Sequence, residues 1–415
     1  MKTKTDVLIV GAGPTGLALA NALQQSGVDY LLVDALGEAQ NSSRAAVVHA
    51  HTLEMLERIG VVSALEERGI ALPDFVVRDR DSALLSLSFR DLPSTYRHLL
   101  MVPQTTTEDV LQDRLEQIGG TLHRNARAIS AKIVEGGARL TFETSEGTQT
   151  VDARFVVGAD GMHSLVREAA GIGFAGAPYD ESFILADVRM DWPLGSDEVS
   201  LFFSPAGLVV VAPLPDGSFR IVATLDDAPE KPSMGDVQAI LDTRGPSLGC
   251  RVTAIGWASR FRVHHRLADT YRAGPFLLMG DAAHVHSPAG GQGMNTGLVD
   301  AVVLGDALAR VVRHGEADKL LDDYTELRRP AAAAVLKLAS RLTGLAVMRS
   351  KLGRVVRNHA LALLNRSAFA KRKLALGLSG FARRKFSSLP AAPLASGDSR
   401  TIGAPGLTMR TSEAR

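Results

Sequence analysis

The stretch TDVLIVGAGPTGLALANALQQSGVDYLLVDA, residues 5–35, constrains the fold of this chain more than any other. Val7–Val10 is a short continuous apolar run, the pattern of a strand buried on both faces of a parallel sheet. Gly11, Gly13 and Gly16 follow it. Leu17, Leu19 and Leu23 then read as a helix, and Tyr30–Val33 as the next strand, ending at Asp34. A glycine turn between a strand and a helix, with an acid closing the second strand, is a dinucleotide-binding unit. The glycines allow a tight turn, a close approach of backbone to a pyrophosphate, and close packing of helix on strand. The helix N-terminus carries the phosphate charge, and Asp34 stands where a carboxylate bonds a ribose hydroxyl.

A second glycine cluster lies far downstream, in GDAAHVHSPAGGQGMNTGLVDA, residues 280–301. Gly290, Gly291, Gly293 and Gly297 crowd the start of a helix, where each interior glycine costs about 1 kcal/mol relative to alanine. Asp281 follows the apolar strand Phe276–Met279 and can take sugar-type hydroxyls. Pro288 stiffens the loop. Missing side chains at Gly290, Gly291 and Gly293 let the backbone lie against a flat group. The N–H groups of Gly293, Met294 and Asn295 open the helix and attract negative charge. A planar ring that becomes anionic, such as a reduced flavin, matches that description. Between the two clusters, FVVGADGMHSLVR (residues 155–167) places an Asp-Gly turn directly after a buried strand.

These elements predict an α/β chain: a Rossmann-like nucleotide-binding domain with an inserted, mostly antiparallel sheet and a C-terminal helical segment. TTTEDVLQDRLEQIGG reads as a helix with a threonine cap and acids in its first turn. Arg139–Glu143 and Thr148–Arg154 read as a hairpin. Strands joined by turn signals such as Pro-Asp-Gly at 215–217 run from about Phe183. The expected division is 1–75, 97–180 and 270–330 for the nucleotide domain, and 76–96 with 181–269 for a substrate-binding sheet. Residues 331–387 are basic helices and 388–415 a loose tail. The net charge of +1 hides this division: residues 1–330 hold 30 Lys/Arg against 43 Asp/Glu, whereas residues 331–397 hold 13 Lys/Arg and no acid. The basic segment can pack back on the acidic body by long-range attraction, or lie on an anionic membrane surface. Cys250 is the single cysteine, so no internal disulfide is available. No run of about 18 apolar residues is present to span a membrane.

The three motifs occur in the order and context of the FAD-dependent aromatic hydroxylases, the single-component monooxygenases like para-hydroxybenzoate hydroxylase, which the chain resembles from about Asp6 to Pro330. It looks most similar to the hydroxylases of phenols, quinones and aromatic polyketides, without the thioredoxin-like C-terminal domain that many of them carry. The resemblance implies that Gly11, Gly13 and Gly16 hold the FAD pyrophosphate and Asp34 the adenosine ribose. It implies that Arg44 and Gln104 touch the cofactor, that Asp160 serves FAD and nicotinamide contacts, and that Asp281 binds the ribityl chain. Pro288 is then expected near the reactive C4a carbon, and Gly293, Met294 and Asn295 at the pyrimidine edge. His51 stands where many relatives have arginine.

The activity so implied is an NADPH- or NADH-consuming hydroxylation of a phenolic or quinone-like ring through a flavin C4a-hydroperoxide. A Baeyer–Villiger or epoxidising monooxygenase, or a flavin-dependent reductase of an isoprenoid-like substrate, would use the same scaffold. A phenol must approach phenolate to be activated, and His49 is the candidate base. The lining expected for the substrate is Ala45–Val48, Phe183–Asp187, Leu201–Val211 and Pro288–Gly290, largely apolar and suited to a lipophilic ring. The expected partners are O₂ and a small aromatic molecule, with no nucleic acid and no metal, since His284 and His286 lack a ligating neighbour. A cytoplasmic monomer or homodimer, with or without membrane association, is the corresponding expectation.

Overall fold

The computed structural model describes residues 1–38, 45–225, 227–288, 290–346, 348 and 350–390. Strand Lys4–Val10 sits in the middle of the first sheet, parallel to Tyr30–Val33 on one side and to Gly147–Gly158 on the other. Phe276–Leu278 extends the sheet in parallel beyond Gly147–Gly158, and Leu122–His123 beyond Tyr30–Val33. Helices Pro14–Gln25 and Gln292–Arg313 pack against each other on this sheet. Val7, Leu8, Ile9, Leu17, Leu19 and Leu23 are buried in the same core.

The second arm of the expected hairpin and the expected buried strand turn out to be one element. Gly147–Gly158 pairs antiparallel with Gly137–Thr144 along its first half and parallel with Lys4–Val10 from Asp152 onwards. The threonine cap is not formed: helix Gln104–Gln117 begins one residue before the threonines, with Pro103 in the capping position and no acid in the first turn. Pro103 fixes a φ of −55°, already suited to a helix start. Thr107 is buried inside the helix, with its hydroxyl donating back to the Pro103 carbonyl at 3.2 Å.

The second sheet takes Asp74–Asp79 and Ser82–Ser88 from the first part of the chain, and its main run of strands begins at Phe174, earlier than the change in sequence texture. Its strands run in the order His284–Val285, Arg251–Ala268, Phe174–Asp191, Phe219–Leu225, Gly207–Pro213, Glu198–Ser204, Asp74–Asp79 and Ser82–Ser88. One face carries Ile184, Ala186, Phe202, Val209 and Val211 and is covered by helix Met234–Arg244. The other carries Phe183, Phe203 and Leu208, with Val210, Val222 and Phe261 beside them. Strand alternation therefore turns half of the expected lining range 201–211 away from the nucleotide domain.

Pro330 is not a boundary. Helix Lys319–Ala346 runs through it, and Ala331, Ala332, Val335 and Ala339 are buried on the far side. That packing offsets a proline cost of about 3 kcal/mol. Helices Lys351–Asn365 and Ala368–Leu378 then pack on strand Ser82–Ser88.

Candidate functional site

The first glycine turn is shaped by contacts within the protein at two of its three glycines. A Cβ at Gly11 would strike the Ala159 carbonyl, and one at Gly16 would overlap the Gly11 carbonyl. Gly13 differs. It caps helix Pro14–Gln25 with an ordinary φ of −69°, no side chain caps the helix, and a Cβ there meets nothing within 4 Å. Asp34 closes the turn by accepting from the Ala12 N–H at 2.6 Å and the Leu36 N–H at 2.8 Å. Behind it, Asp160 accepts from the Val166 N–H at 3.3 Å through Oδ2, while its Oδ1 is buried without a hydrogen-bond partner among the described residues. Burial raises the pKa of this carboxyl.

The second cluster sorts in the same way. Gly290 and Gly291 have φ of 82° and 62°, left-handed conformations that glycine alone adopts readily. Gly297 serves helix packing, because its Cβ would lie 2.6 Å from Thr15 Oγ1. Gly280 also faces Thr15 Oγ1, at 2.9 Å. Thr15 thus joins the phosphate turn, the Asp281 turn and the loop helix at one point. Gly293 has no such internal constraint: its Cβ would make ordinary contact with His286 at 3.6 Å. Gly291 caps helix Gln292–Arg313 without a side-chain cap, leaving first-turn N–H groups with no intrahelical acceptor. Asp281 is exposed in the 3₁₀ turn Gly280–Ala282, and Pro288 accepts from the Gly291 N–H at 2.9 Å.

The loop is held from behind. Asn295 donates to the carbonyls of Val47 and Gly291 and accepts the His49 N–H at 2.8 Å. The buried His49 ring places Nε2 3.0 Å from the Gly290 carbonyl. Gln292 donates to the carbonyls of Gly290 and Leu378, both at 3.0 Å, and accepts from Arg383 at 2.5 Å. The C-terminal segment therefore backs the loop. Gln104 is pinned to Ala45: its backbone N–H donates to the Ala45 carbonyl at 2.9 Å, and its side-chain oxygen accepts the Ala45 N–H at 3.3 Å. Arg220 of the second sheet forms a bidentate pair with Asp187, 2.7 Å on each arm, and donates to the Ala45 carbonyl at 2.8 Å. Arg44 lies outside the described residues.

Beneath the loop, the fully buried Asp300 receives Arg328 Nε at 2.7 Å and lies 2.7 Å from His284 Nε2. It also accepts the Gly280 N–H at 3.3 Å. Arg328 continues to the carbonyls of Phe386 and Thr296. Sequence reasoning missed this cluster, Arg220, and the Gln292–Arg383 link. The sequence offers His284 only as a metal ligand, whereas its partner is a carboxylate sixteen residues away. No grouping of three or more potential metal ligands occurs among the described residues.

Burial pushes His49 and His286 down to about 4, with the Arg383 cation adding to the shift at both. Unfolding returns them to about 6.5. The unfolded chain thus binds more protons below that value, so this stability is complete above pH 6.5 and is lost as pH falls towards 4. The contribution is on the order of 3 kcal/mol per histidine. Denaturant midpoints at pH 7, 6 and 5 are expected to fall steadily; a flat profile would mean that neither ring is buried in the neutral form.

The family of FAD binding domains matches residues 4–339. Pentachlorophenol 4-monooxygenase of Sphingobium chlorophenolicum is 35% identical over 338 residues, 80% of this chain and 63% of that protein. The 6-methylpretetramide 4-monooxygenase of Streptomyces rimosus is 34% identical over 91% of this chain and 69% of its own length. The chain therefore spans roughly two thirds of these relatives. Among solved structures, p-nitrophenol 4-monooxygenase from Pseudomonas putida shares the fold, with a TM-score of 0.84 at 23% identity, over 94% of this chain and all of that one. Anhydrotetracycline hydroxylase from Streptomyces rimosus aligns with a TM-score of 0.77 at 30% identity, over 91% of this chain and 76% of its own. The joined glycine turns and these likenesses place the chain in the FAD binding domain family, among the flavin-dependent aromatic monooxygenases.

Proposed function

We propose that the chain hydroxylates a lipophilic phenolic or quinone-like ring, using FAD, NADPH or NADH, and O₂. The observation that carries this reading is the pair Gly13 and Gly293. Both sit at the starts of neighbouring helices, and neither is required to be glycine by the protein's own packing. A bound group that needs backbone contact accounts for both. The orphaned buried Oδ1 of Asp160 beside the first turn fits the same group. FAD, when bound, supplies acceptance of reducing equivalents from the nicotinamide and activation of O₂ at its C4a carbon.

The chain's own residues bind and orient. Gly11, Gly13 and Gly16 present backbone to the pyrophosphate, with Asp34 setting the turn from below. The first-turn N–H groups of Gln292, Gly293 and Met294 would hold the pyrimidine edge of bound FAD and would stabilise negative charge there. Asn295 and His49 act as positioning residues, fixing the Gly290–Gly291 backbone against strand Val47–Val48. His49 Nε2 lies 3.0 Å from the Gly290 carbonyl and 3.2 Å from the Gln292 side-chain amide, while its buried Nδ1 has no hydrogen-bond partner among the described residues. The Arg220–Asp187 pair holds the second sheet to Ala45 and so sets the distance between the sheet and the cofactor. Pro288 and Gly290 form the near wall for the substrate. The partly buried Val210, Val222 and Phe261 form the far wall, and Leu378 lies between, 3.6 Å from a Cβ built at Gly290. A lining of this apolar composition would exclude water and select a ring with little charge.

Purified protein is expected to be yellow, with FAD released by acid precipitation. A panel of phenols, quinones and fused polycyclic phenols should include compounds that stimulate NAD(P)H oxidation and take up one labelled atom from O₂. Stimulated oxidation without label in the product would assign a reductase instead.

A further inference from the structure

We propose that the outer face of helices Lys351–Asn365 and Ala368–Leu378 docks on an anionic lipid surface. Helix Lys351–Asn365 is amphipathic, yet most of its apolar side chains are not on the side that meets the body. That side packs through Leu361 and a row of polar residues. Asn358 donates to Asp79 at 2.7 Å, Asn365 accepts the Ser86 N–H at 3.0 Å, and Arg357 donates to the Leu345 carbonyl while lying over the Phe203 ring. Its apolar side faces outwards. Leu352, Val356 and Leu363 are 75%, 61% and 68% exposed, and with Val355 they form one stripe at helical spacing. Phe369, at the start of the next helix, is 79% exposed. Of thirteen exposed large apolar side chains among the described residues, eight fall between Leu345 and Leu374. Such a concentration marks an interaction surface rather than scattered exposure.

Charge selects the occupant. The exposed Lys351, Arg366, Arg372 and Lys373 accompany this stripe, in a segment, 331–397, that contains no acid. A second copy docking through the same face would bring two acid-free cationic surfaces together. An anionic bilayer meets both properties at once: apolar side chains enter the acyl boundary and the cations meet headgroups. No helix among the described residues is long and apolar enough to cross a membrane, so the contact is peripheral. The docked helices lead directly to the cofactor loop through Leu378, Gln292 and Arg383. The membrane contact would thus lie beside the wall where a lipophilic ring is proposed to bind.

The test is sedimentation of the full-length flavoprotein with phosphatidylcholine vesicles, with and without phosphatidylglycerol. Binding is expected only with the anionic lipid, at low salt, and reversed by salt. The triple substitution L352S/V356S/L363S should weaken it about tenfold or more, with flavin content unchanged and melting temperature little changed, because these side chains are mostly exposed. Should the triple variant unfold, the quadruple variant K351Q/R366Q/R372Q/K373Q supplies the comparison, with an expected loss of binding and of its salt dependence. Wild-type protein that stays in the supernatant with anionic vesicles would overturn the proposal. Undiminished binding by the variants would also overturn it, as would self-association that the triple variant abolishes in the absence of lipid binding.

Discussion

Asp300→Ala is expected to lower the unfolding free energy by about 3–5 kcal/mol, because it leaves the buried Arg328 guanidinium without a counter-charge. Arg328 is only 3% exposed. The loss extends beyond the ion pair. Asp300 also holds His284 and the Gly280 N–H, so its removal loosens the turn that presents Asp281. Asp300→Asn keeps the shape and loses the charge, and should fall between alanine and wild type. Acid should imitate the substitution. The Asp300 carboxyl is held below its ordinary value by Arg328 and His284 against the opposing effect of burial. Its contribution is present above the unfolded carboxyl value, near 4, and is lost as pH falls through the lower folded value. Urea unfolding of the three proteins at neutral pH measures the effect. Wild-type stability in the alanine variant would show that Arg328 finds another partner.

Gly13→Val is expected to separate folding from cofactor binding. The position has an extended ψ of −177° and open space around its Cβ, so the apo-protein should lose less than about 1 kcal/mol of stability. The same side chain would project into the place proposed for the pyrophosphate. FAD affinity is expected to fall about 100-fold or more, equivalent to about 2.8 kcal/mol. Gly16→Ala supplies the contrast, since its Cβ would overlap the Gly11 carbonyl. That variant should lose stability even without FAD, by about 1–3 kcal/mol or more. Flavin fluorescence titration and thermal melts of the apo-proteins separate the two behaviours. Unchanged FAD affinity in Gly13→Val would remove the pyrophosphate from this turn.

The features visible in the sequence were those with local causes. Val7–Val10 announced a buried strand by composition, and the first glycine turn announced its geometry by spacing within six residues. The contacts that hold the site join distant residues. Arg220 meets Asp187 across 33 residues, and Arg383 meets Gln292 across 91. No periodicity encodes such pairings. Asp300 did leave a trace, because Leu298, Val299, Ala301 and Val302 surround it with apolar neighbours. Apolar neighbours alone do not decide burial, since Asp306 of the same helix also has them and its side chain is 37% exposed. The stripe Leu352–Leu363 was legible as amphipathic, but a stripe does not say which way it faces. Only the packing of Asn358 and Asn365 against the body settles its direction. The glycines taught a further distinction. Four of them looked alike in the second cluster, yet Gly290 and Gly291 answer to backbone conformation, Gly297 to Thr15, and Gly293 to nothing within the protein.

The central position of strand Lys4–Val10 has a consequence for synthesis. One of its two neighbours, Gly147–Gly158, is made about 150 residues after it. At 5–20 residues per second that interval lasts roughly 7–30 s. During it, a run of four apolar residues with one unpaired edge is available to other chains. Helix Pro14–Gln25 can cover a face of the strand in that time but cannot supply the missing edge. The nascent chain is therefore most vulnerable to aggregation before residue 158 emerges, and holding its N-terminal strand during that interval is a task for a chaperone.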